Sequence, residues 1–344
     1  MRVAGIDLLR GVAVGLVIGR HAFPDLLPGA GVVGVVMFFA LSGYLITGVL
    51  LAEATTTGRV RFGRFYARRA ARLVPALVVL VAAVVVVTVV LDPLHDRDEL
   101  GRTVLVALTW TANLPFDQGS DATFHLWTLA TEEQFYLLWP AVLVLAVARR
   151  RVGTALAVVA ALCLLACAAT LVRLADDPDL AYALPTSWAV CFVVGAAARV
   201  LVERRPHLVV PAAAVPAALV GLTVLAVVPL RGHALTYLAG GPAIAALTAV
   251  LLLAWRAWTP APRALAPLVW LGTVSYGAYL WNYPLTLWLR PALAHEEVAG
   301  VLAAGLTLLA AAASWRWVER PVAAWWRTRE RTAEPVPARV GVPS

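Results

Sequence analysis

The sequence predicts an all-α integral membrane protein, a bundle of about ten transmembrane helices with cytoplasmic N- and C-termini. Of its 344 residues, 61% are hydrophobic and 14% are charged, and the mean hydropathy is +0.82. Soluble domains carry roughly 45–50% apolar and about 25% charged residues. The composition therefore excludes a soluble globular enzyme, and the large apolar surface excludes a disordered chain.

Ten apolar segments are candidates for the spans, since a bilayer core of roughly 30 Å needs about 20 helical residues. They run near 8–23, 31–51, 72–91, 133–148, 153–173, 186–202, 208–229, 235–255, 267–290 and 298–318. A further apolar stretch near 103–115 belongs to an outer segment, 100–131, that dips into the membrane without crossing it. A crossing there would place Arg149, Arg150 and Arg151 outside, against the positive-inside rule.

The distribution of arginine predicts the orientation. The net charge is +8, and all 28 basic residues are Arg. With the N-terminus inside, the inner loops and tails collect 21 Arg and the outer ones five, while Arg10 and Arg20 fall within the first span. These residues lie between apolar runs and not on one amphipathic face, which argues against nucleic acid as a partner. We expect a multi-pass protein of the bacterial cell membrane, in contact with its lipids.

The chain divides into a membrane domain and a tail. Residues 1–321 contain every predicted span, and 322–344 form a polar, proline-containing cytoplasmic tail that we expect to be disordered. The three cysteines, Cys163, Cys167 and Cys191, lie in apolar runs without metal-ligand neighbours. We therefore predict no metal site and no permanently bound cofactor.

The first span contains two ionisable residues on one face. Arg10 and His21 are eleven residues apart, close to three helical turns, and so lie roughly 16 Å apart along the axis. Ionisable groups within spans are candidates for function, and histidine suits general-base chemistry near neutral pH. The alternative is that Arg10 extends toward the inner surface and His21 lies at the interface.

An inner loop with six arginines at 59–72 precedes the third span. Arg69 and Arg72 are three residues apart and share a helix face, and paired guanidinium groups suit phosphates. The alternative is an anchor on anionic lipid.

Two acids, Glu132 and Glu133, open the fourth predicted span at its outer end. Acids at a helix N-terminus are favoured by the helix dipole, so a structural role is the alternative to a functional one.

Six motifs, in this order, resemble acyltransferase family 3, whose members O-acylate sugars, cell-wall polymers and polyketides. They are GIDLLRG at 5–11 with ten residues between Arg10 and His21, FFALSGYLIT at 38–47, FYARRAARLVP at 65–75, HLWTLATEEQFYLLWP at 125–140, SYGAYLW at 275–281 and VERP at 318–321. The resemblance covers about residues 4–321 and identifies the membrane domain as a family 3 domain.

The resemblance implies transfer of a short acyl group, acetyl or similar, from acyl-CoA to a hydroxyl of a glycan or polyketide. His21 becomes the leading catalytic base, with Arg10, Glu132 and Glu133 as further catalytic candidates. An acyl-histidine intermediate is the alternative to base catalysis. The donor phosphates are expected on the inner side, and the acceptor along a polar path. The resemblance implies contacts to CoA from Arg68, Arg69 and Arg72, and contacts to substrate from Trp127, Tyr136, Ser275, Asn282 and Glu319.

The chain departs from the family pattern in three ways. Many relatives have histidine at the position of Asn282, which can form hydrogen bonds but cannot titrate. Thr128 replaces a more usual serine, and the sequence shows no C-terminal hydrolase-like domain of the kind some members carry. Two other function classes also fit ten spans with intramembrane charge. One is a transporter of a lipid-linked or acylated molecule, although no paired repeats are evident, and the other is a subunit without chemistry of its own.

Overall fold

The computed structural model describes residues 3–115, 118–259 and 262–333, and these residues form helices and turns without a strand. The α-helices are numbered in chain order. They are α1 (Ala4–Ala22), α2 (Ala30–Thr57), α3 (Phe62–Val90), α4 (Leu100–Thr109), α5 (Trp127–Ala148), α6 (Val152–Arg173), α7 (Ala189–Arg204), α8 (Ala214–Val227), α9 (Gly241–Trp255), α10 (Ala266–Thr273), α11 (Ser275–Leu289), α12 (Glu296–Ser314) and α13 (Arg320–Ala333).

Several helices have the length and composition of membrane spans. Within the described ranges, five helical segments are long and apolar enough to cross a membrane: Ala30–Thr57, Phe62–Val90, Val152–Arg173, Thr236–Trp255 and Glu296–Arg329. Their presence supports a multi-pass membrane protein, and the total of about ten spans and the direction of the termini stay predictions. Helix α4, in the outer segment, has 10 residues, so it is too short to cross.

The helix that carries the arginine-rich loop begins earlier than the hydropathy indicates. Helix α3 starts at Phe62 and not near residue 72. Arg69 and Arg72 therefore lie on its first turns, on the face directed toward the bundle. The charged residues lower the hydropathy of this stretch without interrupting its helical backbone.

The predicted span 267–290 is two helices and not one. Helix α10 ends at Thr273, and α11 begins at Ser275 after Val274, whose φ of −100° and ψ of 10° are not helical. Hydropathy does not report backbone breaks between apolar residues. The break places Ser275 at the first position of α11, where its side chain faces α1.

The end of the chain is more ordered than its composition suggests. Helix α12 continues through a π-helical turn, Trp315–Glu319, into α13, which packs against α3. Order therefore extends through 322–333, where we expected a disordered tail, and 334–344 lie outside the described residues. This segment contains several arginines and a pair of tryptophans, Trp325 and Trp326. Such a composition is typical of helices at a membrane surface.

Helix α2 lies at the centre of the bundle and contacts α1, α5, α7, α8 and α9. Close crossings depend on glycine. A Cβ atom on Gly43 would lie 1.9 Å from the Phe192 carbonyl oxygen, and one on Gly195 would lie 1.9 Å from that of Ala40. The same arrangement joins α1 to α10, where a Cβ on Gly11 would lie 1.9 Å from the Leu268 oxygen. Small residues at crossings let helix backbones approach closely.

Candidate active site

A polar cavity lies between α1, α2, α3, α5 and α11. It encloses about 810 Å³ of space between atoms, including the space at its opening. Apolar side chains form much of its wall, and its polar lining brings together residues that are far apart in the sequence: Arg10, Ser42, Arg69, Arg72, Thr128, Glu132, Tyr136, Ser275, Tyr276 and Tyr279. Large apolar pockets with a few convergent polar groups are the usual form of small-molecule sites.

Arg10 enters the cavity from α1. Its Nη2 donates a hydrogen bond to Ser275 Oγ over 2.9 Å, so the break between α10 and α11 supplies the acceptor that holds this guanidinium. Glu132 and Arg72 lie near enough to interact with it electrostatically. The intramembrane arginine is therefore directed inward among polar groups and does not extend toward the membrane surface.

The two acids of α5 have different hydrogen-bond partners, although Arg69 Nη2 also lies 3.7 Å from Glu132 Oε2. Glu132 Oε1 accepts a hydrogen bond from Ser42 Oγ at 2.8 Å. Glu133 is held by Arg69, with Nη2 to Oε1 at 2.8 Å and Nε to the same oxygen at 2.9 Å. The Arg69 guanidinium also lies 3.3 Å from the centre of the Tyr136 ring. Arg69 is thus a neutralised, stacked cation that fixes α3 against α5.

Arg72, unlike Arg69, has no ion-pair partner among the described residues. Among the described residues, no carboxylate lies within ion-pair distance of it, although Glu132, Glu319 and Arg69 act on it electrostatically. The residue is exposed and lines the cavity. Its donors are available to a ligand, and a guanidinium is well matched to phosphate oxygens. Arg68 is exposed and is not part of the cavity wall.

His21 does not line this cavity. It lies at the other end of α1, roughly 16 Å along the helix from Arg10, in contact with α11. Its Nδ1 is 2.5 Å from Asn282 Oδ1, and its ring packs edge-on against Tyr283 with ring centres 5.3 Å apart. Arg10 and His21, which the sequence places on one face of α1, therefore belong to two groups of residues. Arg10 lines the cavity, and His21 pairs with Asn282 outside it.

The hydrogen bonds around Asn282 determine the tautomer of His21. Thr307 Oγ1 donates to the Ala303 carbonyl oxygen at 2.7 Å and is left to accept from Asn282 Nδ2 at 3.2 Å. The amide oxygen then faces His21, and an amide oxygen only accepts. Neutral His21 must therefore carry its proton on Nδ1, which leaves the lone pair on Nε2. This is the arrangement that a general base requires.

A second histidine lies close to the first. His125 and His21 both pack against Tyr283, with ring centres 5.3 Å from it in each case. His125 Nε2 is 3.1 Å from the Leu280 carbonyl oxygen, while its buried Nδ1 has no partner among the described residues.

Tyr279 connects the cavity wall to His125, since the centres of their rings are 5.6 Å apart. Phe38 and Tyr279 form an edge-to-face pair with centres 6.4 Å apart, and both line the cavity. Tyr279 accepts a hydrogen bond from Thr128 at 2.7 Å and donates to the His125 carbonyl oxygen at 3.0 Å. Tyr279 precedes Asn282 by three residues and shares its face of α11.

The remaining predicted residues take different positions. Tyr136 and Ser275 line the cavity. Glu319 lies outside its wall, buried, and accepts a hydrogen bond from Ser314 at 3.0 Å. Trp127 is 2% exposed and packs against the Phe39, Tyr182 and Trp188 rings in the core. Trp127 does not line the cavity, and its assignment to a substrate path stays a prediction.

Sequence reasoning missed several members of the site. Ser42 lies within the FFALSGYLIT motif without a signal of its own, yet it donates a hydrogen bond to Glu132. Thr307 and His125 carried no signal that linked them to His21, because 286 and 104 positions separate them in the chain. Asn282 was noted for a missing histidine, and its actual partner emerges only from the fold. In the described part of the chain, no group of three metal-binding side chains is assembled.

Comparison with known proteins identifies the family of the chain. A family model described as an acyltransferase domain, Acyl_transf_3, matches residues 3–316. The chain is 30% identical over 347 residues to the peptidoglycan O-acetyltransferase OatA of Listeria monocytogenes, across 93% of this chain and 56% of the relative. It is also 30% identical over 361 residues to the putative peptidoglycan O-acetyltransferase YrhL of Bacillus subtilis, across 93% and 55%.

A third similarity is more local. The O-acetyltransferase OatA of Staphylococcus aureus strain NCTC 8325 is 37% identical over 147 residues, or 40% of this chain and 24% of the relative. No solved structure shows significant similarity. The chain spans about half the length of the curated relatives that it matches over nearly its whole length. The family model and these relatives together show that the chain is a multi-pass membrane protein of acyltransferase family 3.

Proposed function

We propose that the chain is a membrane O-acyltransferase that transfers a short acyl group from acyl-CoA to a hydroxyl of a glycan, with a polyketide as the alternative acceptor. The observation that carries the proposal is His21, whose tautomer is fixed by Asn282 so that Nε2 is free to accept a proton. Family membership and relatives named for O-acetyl transfer to peptidoglycan support the reaction class.

In the proposed reaction, residues of the cavity bind the donor and His21 activates the acceptor. Arg72 contacts donor phosphates within the cavity, and Arg10 provides a second positive charge deeper inside. The thioester, at the far end of the long pantetheine arm, reaches beyond Phe38 and Tyr279 toward His21. His21 Nε2 removes the proton of the acceptor hydroxyl, and the hydroxyl oxygen bonds to the carbonyl carbon of the thioester. The C–S bond then breaks, and the CoA thiolate leaves and takes up the proton.

The first test removes the base. In His21→Ala, acetyl transfer from acetyl-CoA to a glycan acceptor should fall by about 10²–10⁴-fold, the usual contribution of a general base. The assay measures radiolabelled acetyl incorporation by purified protein, with the melting temperature as the check on folding. His207→Ala, a substitution of an exposed histidine in the segment after α7, is the control that should keep full activity. Near-normal transfer by a folded His21→Ala protein would contradict the assignment.

A further inference from the structure

Two arginines flank His21. Arg20 precedes it on α1, and Arg290, at the end of α11, donates from Nη2 to the His21 carbonyl oxygen at 3.3 Å. Both guanidinium groups act electrostatically on the His21 ring, and Arg20 also interacts with Arg290. Two arginines and His21 therefore lie close together where α1 and α11 end.

Neither arginine is neutralised by the protein. Within the described ranges, no carboxylate lies within 4.0 Å of Arg20 or Arg290, and Arg290 Nε is buried without a hydrogen-bond acceptor. Arg231 shows the contrast, because it forms a two-point ion pair with Asp179 at 2.7 and 2.8 Å.

The carboxylates nearest to these groups do not pair with them. Asp25 acts electrostatically on Arg20, and Asp121 acts on Tyr283, but both are exposed and neither reaches ion-pair distance of the two arginines. Partly buried cations without a partner are costly, and a charge-assisted hydrogen bond to an anion would satisfy them.

We propose that Arg20 and Arg290 bind an anionic group of the acceptor, a carboxylate or a phosphate, beside the hydroxyl that His21 activates. The inference rests on the proposed function for the identity of that hydroxyl, and it narrows the acceptor to an anionic glycan. The donor phosphates have a separate site in the proposed function, because Arg72 lines the cavity and neither Arg20 nor Arg290 does.

Aromatic rings next to the arginines favour a sugar over a lipid headgroup. Phe124 lies against Tyr283 and is stacked on Tyr182, with ring centres 6.2 and 6.5 Å away and an angle of 13° between the stacked rings. Tyr283 in turn packs against His21. The Arg231 guanidinium covers Tyr182, with its carbon 4.5 Å from the ring centre. Pyranose rings stack on aromatic faces, and the half-buried Phe124 and Tyr283 present such rings beside His21.

The experiment compares two sugars that differ by one charge. N-acetylmuramic acid and its methyl ester have the same hydroxyls, and only the acid carries a carboxylate. Their binding to the full chain in nanodiscs of neutral phosphatidylcholine is measured by titration calorimetry, without donor. The acid should bind at least about tenfold more tightly, as expected for a hydrogen bond to a charged group. Arg20→Gln/Arg290→Gln should abolish the preference, and the double lysine variant should retain part of it.

Controls separate this inference from the proposed function. Arg173→Gln, at an exposed arginine at the end of α6, should leave the preference unchanged. Equal affinity of the wild type for acid and ester, including binding of neither, would overturn the inference without any variant having to fold. A preference that survives in the glutamine variant would also overturn it.

A lipid headgroup has its own signature. If it were the anion, phosphatidylglycerol nanodiscs would stabilise the wild type but not the glutamine variant, and the two sugars would bind alike. Acetyl transfer to the ester tests the proposed function independently, so either idea can fail alone.

Discussion

At the scale of single residues, the amide of Asn282 assigns the roles of the two His21 nitrogens. It contacts His21 on one side and Thr307 on the other. An amide can orient the ring without a charge of its own. Arg69 and Arg72 illustrate a second contrast, since one is bound by Glu133 and the other has free donors.

Replacing the orienting amide should reduce turnover more than stability. In Asn282→Leu the Nδ1 proton has no acceptor, so the tautomer and ring orientation are no longer fixed. We expect kcat to fall on the order of 10- to 100-fold, less than removal of the base itself. Thr307→Val, which removes the partner of the amide nitrogen, should give a smaller fall in the same direction. Unchanged kcat in a folded Asn282→Leu protein would show that Asn282 does not orient His21.

The two cavity arginines should respond differently to alanine. Arg69→Ala leaves Glu133 partly buried and unpaired, which destabilises a protein by up to about 3–5 kcal/mol. Its melting temperature should therefore drop without any ligand. Arg72→Ala breaks no ion pair, so its melting temperature should stay near that of the wild type.

The donor then distinguishes the two variants. Acetyl-CoA should raise the melting temperature of the wild type, because it binds only the folded state. Arg72→Ala should lose most of this increase. Arg61→Ala, at the exposed residue before α3, is the matched control. An undiminished increase in Arg72→Ala would remove this residue from the donor site.

At the scale of elements, glycine crossings and a helix break place the site. The α2–α7 and α1–α10 contacts bring backbones together where a methyl group would overlap a carbonyl oxygen. The break at Val274 directs Ser275 toward Arg10. Because α1 and α11 contact each other at both Arg10 and His21, their packing sets the distance between the cavity and the base.

One added methyl group tests the crossing of α2 and α7. Gly43→Ala should destabilise the protein by about 1–3 kcal/mol, the usual cost of overpacking, and lower its melting temperature. Gly305 in α12 has no atom within 4 Å of a built Cβ. Gly305→Ala should therefore be neutral or stabilising, since alanine is the better helix former. Equal melting temperatures for the two variants would show that the crossing tolerates a side chain.

At the scale of the whole molecule, the site has two compartments in series. The cavity holds the exposed Arg72, and His21 lies outside the cavity beside Asn282 and Arg290. Under the proposed function the first binds the donor and the second receives the acceptor. With the orientation that the arginine distribution predicts, the donor binds from the cytoplasm and the acceptor approaches from the outer side.

Cysteine labelling tests this orientation. Thr57, the last residue of α2, precedes α3, and Asp98 follows α3 in the turn Arg97–Glu99; both residues are exposed. In a background without Cys163, Cys167 and Cys191, a membrane-impermeant maleimide should label Asp98→Cys in intact cells. Thr57→Cys should react only after lysis. The reverse pattern would invert the topology, and labelling of both from outside would mean that α3 does not span.

The sequence by itself determined the class of the molecule. Long apolar runs require a membrane, because their surface cannot be solvated. The spacing of Arg10 and His21 follows from helix geometry alone, and the ordered motifs indicated the family. These conclusions depend on composition and on residues that are close in the sequence. Both can be determined from the sequence without knowledge of the fold.

Only the tertiary structure decided which of the predicted residues meet. It separated His21 from the arginine cavity, paired it with Asn282 and brought Arg290 beside it. It also paired Arg69 with Glu133 while leaving Arg72 free for a ligand. Partners 261 and 64 positions apart are joined by helix crossings and a backbone break. Hydropathy does not record these features, because they depend on which faces of different helices pack together.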